Sequence, residues 1–236
     1  MNNTNWIDPY DSKKYIAIEK DYIVARGGDG TLLKAINMHR DKGLPFVGFA
    51  GGTLNFLMNE GLKIRSEAKY KSFNLIKVKV TYENLERDLS SIDDHYVQRT
   101  KEYQAFNEIC LGGDMGSWIE FNVHDHDKII GEFKGGGVIV STAQGSTGIN
   151  KNNNGVILPL SSKNWSITGD KTNRKVNHII EPKRTSITCK SRTPVTLWID
   201  GTNEIVFNVT KIEISKGDSI TVIFNDYDNF KRKRRI

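Results

Sequence analysis

The rhythm of apolar and polar positions changes once along this chain, near residue 73. Before that point the apolar residues come in unbroken runs. Tyr22-Ile23-Val24-Ala25 and Phe46–Ala50 are two such runs, and between them Leu32, Leu33 and Ile36 recur at helical spacing. Short unbroken runs suit strands covered on both faces of a parallel sheet, and the 3.6-residue spacing suits the helix that joins them. The pattern predicts extended segments at Tyr15–Glu19 and Asp21–Ala25, a helix from Thr31 to Arg40, a stop at Lys42-Gly43-Leu44-Pro45, and a strand at Phe46–Ala50. After residue 73 the pattern alternates: Ile76, Val78 and Val80 stand against Lys77 and Lys79. Further short β-rich runs follow at Trp118–Val123, Val138–Ser141, Thr196–Ile199, Val206–Val209, Ile212–Ile214 and Ile220–Phe224. Lys216-Gly217-Asp218 reads as a hairpin turn and Asn150–Asn154 as a polar loop. The expected fold class is therefore α/β plus all-β. A small α/β nucleotide-binding domain covers 1–72, a β-rich, sandwich-like domain covers 73–225, and a basic tail covers 226–236.

Composition narrows the class without changing that outline. The 236 residues suffice for one large domain or two small ones, and 37% hydrophobic with 26% charged content is ordinary for a globular protein. No apolar run approaches the roughly 20 residues of a membrane span. The polar Met1–Tyr10 segment lacks the apolar centre of a signal peptide, so a cytoplasmic protein is expected. Cys110 and Cys189 are far apart and form no CxxC pair, which argues against a disulfide scaffold or structural zinc and for buried free thiols. Much of the net charge of +6 lies in Lys231–Arg235. No basic stripe interleaved with aromatics accompanies it, so neither nucleic acid nor a membrane is expected as partner. His124-Asp125-His126-Asp127 reads either as alternating ligands on a strand or as a polar hairpin tip, and no protein-held metal is expected there.

The chemistry concentrates in glycine turns. Arg26-Gly27-Gly28-Asp29-Gly30-Thr31 joins the first apolar run to the helix, and Gly51-Gly52 follows the second. Parallel strands would bring both turns to one sheet edge, where open α/β sheets bind ligands. Glycines admit sharp turns and close ligand approach, and a helix start offers N–H groups to phosphate. A carboxylate inside such a turn repels phosphate, so Asp29 needs a role of its own. The Asn107-Glu108 pair and the segment Gly135–Asn150 complete the set. In the latter, Val138-Ile139-Val140 leads to Ser141, Thr142, Gly145, Ser146, Thr147 and Gly148, a loop able to hydrogen-bond phosphate, ribose or a base.

These four segments, in this order, resemble the NAD kinase family, over about residues 20–236. Gly27–Thr31 matches its GGDGT turn, and Gly52-Thr53-Leu54-Asn55-Phe56-Leu57 matches its G-x-L-G-F-L. Asn107-Glu108 matches its Asn-Glu pair, Gly136–Ile149 its D-G-…-S-T-P-T-G-S-T-A-Y stretch, and Asp200-Gly201 a late Asp-Gly. Lipid kinases share GGDGT alone. The chain departs from the pattern at Gly136 (Asp in the family), Gly148 (Ala), Ile149 (Tyr) and Asn55 (Gly). The opening strand and helix are also shortened, with 26 residues before Gly27.

The resemblance implies transfer of the ATP γ-phosphoryl group to the adenosine ribose 2′-hydroxyl of NAD. Mg2+ would arrive with ATP, held by its phosphates, and the site would lie between the two domains. Asp29 would align the hydroxyl as general base; alternatively it caps the helix, a job Thr31 also suits. The nucleotide-binding set would be Gly28, Gly30, Thr31, Phe56, Asn107, Glu108, Gln144, Ser146, Thr147, Gly148 and Asp200. Against this, Phe56 also suits a core position, Asn107-Glu108 a strand end, Ser146-Thr147 a plain turn and Asp200 a hairpin turn. Family members assemble as dimers or tetramers, so a homo-oligomer is implied. Two other functions compete: a dinucleotide-binding regulator or pseudoenzyme of the same fold, and a lipid kinase sharing GGDGT.

Overall fold

The computed structural model describes residues 3–51, 55–87, 94–114, 116–228 and 230. Among the described residues the elements begin with β1 (Asn3–Ile7), β2 (Tyr15–Ile18), β3 (Ile23–Gly27), α1 (Asp29–His39) and β4 (Phe46–Ala50). Next come β5 (Lys69–Arg87), β6 (Asp94–Ala105), β7 (Glu108–Gly112), β8 (Ile119–Asp125), β9 (Lys128–Gly135), β10 (Gly137–Ser141) and the short α2 (Ile149–Asn152). The chain closes with β11 (Trp165–Asp170), β12 (Asn177–Ile180), β13 (Thr185–Lys190), β14 (Thr196–Ile199), β15 (Thr202–Val206) and β16 (Val209–Phe224). No described helix is long and apolar enough to cross a membrane.

The chain forms two compact units, one made of residues 1–74 with the segment from Ser219 onward, the other of Leu75–Asp218. In the first, strand order is β1-β2-β3-β4-β16. The β3–β4 and β4–β16 pairs are parallel, with Ile23 opposite Phe46 and Val222 opposite Phe46 in turn. The apolar runs are buried as their lack of alternation requires, and α1 covers them with Leu32, Leu33, Ala35 and Ile36. Asn59 is a hidden fastener: its Nδ2 donates to the Gly48 and Ile223 carbonyls, and its Oδ1 accepts from the Asn225 N–H. Phe224 anchors an aromatic cluster with Phe73, Tyr227 and Phe230. The sequence-based second domain ran to 225. The last strand instead joins the first unit from Ser219, because its apolar run supplies β4 with a parallel neighbour.

The second unit is a sandwich. One sheet is wholly antiparallel, in the order β12-β11-β10-β7-β14-β15. Facing it are β8, β9, β13, the first part of β16 and the β5–β6 hairpin. Alternate residues such as Ile109, Val138, Val140, Ile167, Leu197 and Phe121 fill the core between the layers. Three local expectations are corrected here. Lys216-Gly217-Asp218 makes no hairpin, because β16 runs straight through it. Gly217 instead admits a neighbour: a Cβ there would lie 2.5 Å from Gln104 Oε1 and 3.2 Å from the Leu75 carbonyl. Gln104 then exchanges hydrogen bonds with Asp218 through its Nε2 and Oε1. Residues 150–152 of the expected loop belong to α2. Cys110 and Cys189 are free thiols but half-buried rather than buried. His126 and Asp127 form the β8–β9 turn, with His126 at φ +55°. The basic tail Lys231–Arg235 and the motif residues Gly52, Thr53 and Leu54 lie outside the described residues.

Candidate functional site

The first group of site residues sits where β3 and β4 end. Parallel register sets Gly27 opposite Ala50, and the Gly51 N–H donates to the Gly27 carbonyl at 2.7 Å. A Cβ on Gly51 would come within 3.3 Å of the Gly27 Cα, so the two glycine turns touch backbone to backbone. Gly27 has φ +150°, and a Cβ on it would lie 2.3 Å from Thr31 Oγ1. A side chain at 27 is therefore excluded twice, by conformation and by the packed Thr31. Gly30 differs: nothing lies within 4 Å of a Cβ placed there. Its glycine answers no steric demand from the fold.

Asp29 lies in the first turn of α1, where a negative charge complements the helix dipole. It does not cap the helix, and neither does Thr31; Gly28 holds the N-cap position without a side-chain bond. The Asp29 carboxylate reaches instead to the second turn. Oδ2 accepts from the Phe56 N–H at 2.8 Å and Oδ1 from the Leu57 N–H at 2.7 Å. Phe56 is half-buried beside this clamp and is absent from the buried core, whereas Leu57 is in it.

The second group lies on the outer face of the six-stranded sheet. Strand alternation turns Glu108, Cys110, Ile139 and Trp198 away from the core residues between them. They line a cavity of about 430 Å³ together with Asp170 and Ile149. Part of its wall is bare backbone: Gly112 of β7 pairs with Gly137 of β10, and just beyond the strands the Gly113 N–H donates to the Gly136 carbonyl. Glu108 is buried, and its Oε2 has no hydrogen-bond partner among the described residues. Burial, with the Asp200 carboxylate adding to it, pushes the Glu108 carboxyl up to about 8. Burial likewise pushes the Cys110 thiol up, well out of reach of thiolate chemistry.

Asp200 explains how Glu108 is held. It is 2% exposed and occupies, with Gly201, the centre of the β14–β15 turn at φ +53° and +63°. Two successive positive φ values are those of a type I′ hairpin turn, so the Asp-Gly pair has the turn role its sequence suggests. Its carboxylate also gathers the N–H groups of Phe106 (2.8 Å), Asn107 (2.7 Å) and Glu108 (3.1 Å). The Asp200 N–H returns a bond to the Glu108 carbonyl.

The hydroxyl-rich loop divides into members that build and members that remain open. Thr142 Oγ1 donates to the Phe106 and Asn107 carbonyls, and Gln144 Nε2 donates to Phe106. Ser146, fully buried, donates to the Ala143 carbonyl and accepts from the Leu158 N–H. Thr147 is half-buried and Gly148 exposed, the latter close to Glu108. The Asn107 Oδ1 is buried with no partner among the described residues. Sequence reasoning missed Asn150, which is fully buried and joins Ser146, Val156 and Thr168 through its amide. It also missed Asp170 and Trp198 as cavity walls. Their signal is only the parity of their strands, which a single sequence does not reveal until the pairing is known.

Fold and Gly-Gly-Asp-Gly-Thr turn together define a protein of the class that carries this turn between a parallel strand and a helix, followed by a β-sandwich. No family model matches the chain. Curated relatives do. The NAD kinase of Fusobacterium nucleatum is 33% identical over 153 residues, 64% of this chain and 54% of that protein. The NAD kinase of Clostridium beijerinckii is 25% identical over 247 residues, 98% of this chain and 83% of the relative. The chain thus spans about half the length of the first relative and most of the second. Among solved structures, an NAD kinase from Archaeoglobus fulgidus in complex with ATP superimposes with a TM-score of 0.70 at 18% identity, over 91% of this chain and 83% of the other. The chain is thus similar in sequence to NAD kinases and shares the fold of a solved one.

Proposed function

We propose that the protein transfers the γ-phosphoryl group of ATP to the adenosine ribose 2′-hydroxyl of NAD, giving NADP. The observation that carries this reading is the Asp29 clamp. A half-buried carboxylate stands at the joined ends of two parallel strands, oriented by the Phe56 and Leu57 N–H groups. Phosphoryl transfer asks little covalent chemistry of a protein; it asks for an oriented hydroxyl and neutralised charge. Asp29 accepts the hydrogen bond of the attacking ribose hydroxyl and takes its proton as the bond to phosphorus forms. The glycine turn offers backbone N–H groups to phosphate oxygens. Magnesium enters with ATP as part of that substrate and is held by its phosphates. Glu108, Asn107 and Thr147 supply polar contacts for the adenosine half, while Gln144, Ser146 and Asp200 hold the loops that present them.

NADP formation from NAD and Mg-ATP by the full chain, run beside Asp29→Asn, tests this. Product from the parent and at least about 100-fold less from the variant is expected. Bound NAD without turnover in the parent would turn the reading to a regulator, which Gly136 and Ile149, both on the cavity wall where the family carries Asp and Tyr, favour as the second reading. Phosphorylation of a long-chain lipid but not NAD would assign a lipid kinase.

A further inference from the structure

The cavity of the sandwich has an acid that no hydrogen bond or ion pair engages among the described residues. Asp170 ends β11, and the strand's parity puts it on the outer face: Trp165 and Ile167 belong to the core, while Ser166, Thr168 and Asp170 alternate with them. Across the sheet, register sets Asp170 beside Gly137, and Gly137 beside Gly112. The row in front of its carboxylate is therefore backbone without side chains. Gly112 and Gly137 need their glycines, since Cβ atoms there would lie 3.1 Å from the Gly136 carbonyl and 2.6 Å from the Leu111 carbonyl.

Gly136 does not need its glycine. It has no positive φ, and a Cβ on it would meet its nearest neighbours at 3.5–3.8 Å, ordinary contact. One of those neighbours is the Asp170 Oδ2, at 3.6 Å. An acidic side chain at 136 would thus place a second carboxylate against the first in a half-enclosed cavity, and like charges at that range disfavour each other. The two positions are alternatives: an acid at 170 calls for a small neutral residue at 136.

Among the described residues the cavity wall carries no Lys, Arg or His, so it supplies no positive charge for a phosphate. It offers the half-buried indole of Trp198, apolar Ile139 and Ile149, the Asn153 amide, and carboxyl acceptors. That chemistry suits an uncharged, planar, donor-bearing group. We propose that Asp170 is a specificity-determining residue that accepts a hydrogen bond from an amide N–H or ribose hydroxyl of the dinucleotide's nucleoside portion, and that Gly136 keeps the approach to it open.

This inference rests on the proposed function, and the test separates the two. NAD binding by calorimetry, and KM and kcat for NAD, are measured on the full chain for the parent, Asp170→Asn, Gly136→Asp and the double variant, with thermal midpoints as a check on folding. Asp170→Asn is expected to weaken NAD binding and raise KM about tenfold or more, with kcat and the midpoint little changed. Gly136→Asp is expected to weaken binding in the parent background and to restore it in the Asp170→Asn background, a reversal that loss of packing does not produce. Parent turnover with Asp170→Asn binding NAD within twofold of it would overturn the role of Asp170 and leave the kinase standing. Weakening by Gly136→Asp that is equal in both backgrounds would overturn the link between the two positions. A parent that binds no dinucleotide would overturn the function itself, and this inference with it.

Discussion

Two aspartates in this molecule perform the same local task in opposite surroundings. Asp29 fastens one glycine turn to another through the N–H groups of Phe56 and Leu57. Asp200 fastens a hairpin turn to the start of β7 through the N–H groups of residues 106–108. Asp200 is 2% exposed and sits behind the residue that meets the cavity; Asp29 is half-buried at a strand end. A buried carboxylate that gathers backbone amides serves the fold, whereas one that is partly exposed can also be reached by a ligand, which is the role proposed for Asp29. Accessibility is what distinguishes the two.

Substitutions break this contrast in graded ways. The largest effect is expected at Asp29, where on the proposed reading Asn removes the base: NADP formation falls about 10²- to 10⁴-fold, while the loss of one of the two clamp acceptors lowers stability in urea titration only modestly, by about 1–3 kcal/mol. Asp200→Ala shows the reverse profile. Three N–H groups lose an ionised acceptor, so unfolding free energy falls by at least about 3 kcal/mol in urea titration. A midpoint that stays put would remove Asp200 from the scaffold. Glu108 comes next. Its folded-state pKa of about 8 stands above the ordinary 4.5. The folded state therefore holds the proton more tightly between those values, and stability falls as pH rises through that window. Glu108→Gln is expected to flatten the decline, gaining on the order of a few kcal/mol over the parent at pH 9. Parallel stability curves for the two from pH 5 to 9 would contradict the assigned burial. The smallest effects separate the glycines. Gly27→Ala costs about 1–3 kcal/mol because of φ +150° and the contact with Thr31. Gly30→Ala, inside α1 with open space around it, is neutral or stabilises by up to about 1 kcal/mol. Lost activity in that stable variant would report a ligand approaching Gly30.

The first unit's strands are legible because buried parallel strands leave unbroken apolar runs, and the Gly27–Thr31 turn is legible because Gly27 answers a geometric need. The helix begins at Asp29 rather than Thr31, since Gly28 takes the cap position that hydroxyl preference assigns to other residues. Lys216-Gly217-Asp218 misled for a physical reason: glycine permits a turn, but it equally permits close approach of Gln104 to a straight strand. Asn59 and Asn150, which hold the two units internally, carry no periodic signal, because a buried amide is defined by partners distant in sequence. Ser146 and Thr147 look alike in the chain, yet one hydroxyl is enclosed by the loop and the other is not. Side-chain direction separates them, and composition cannot.

The pairing of β4 with the last strand has a consequence for the timing of synthesis. Phe46 and Val47 meet Val222 and Ile223 across some 175 residues of intervening chain, by the numbering of the paired residues. While the ribosome makes the sandwich, β4 waits with one edge unpaired, and exposed strand edges recruit foreign strands. A nascent chain arrested before Ser219 should therefore hold a folded sandwich beside an adhesive first unit, and chaperone demand should fall sharply once the final strand emerges.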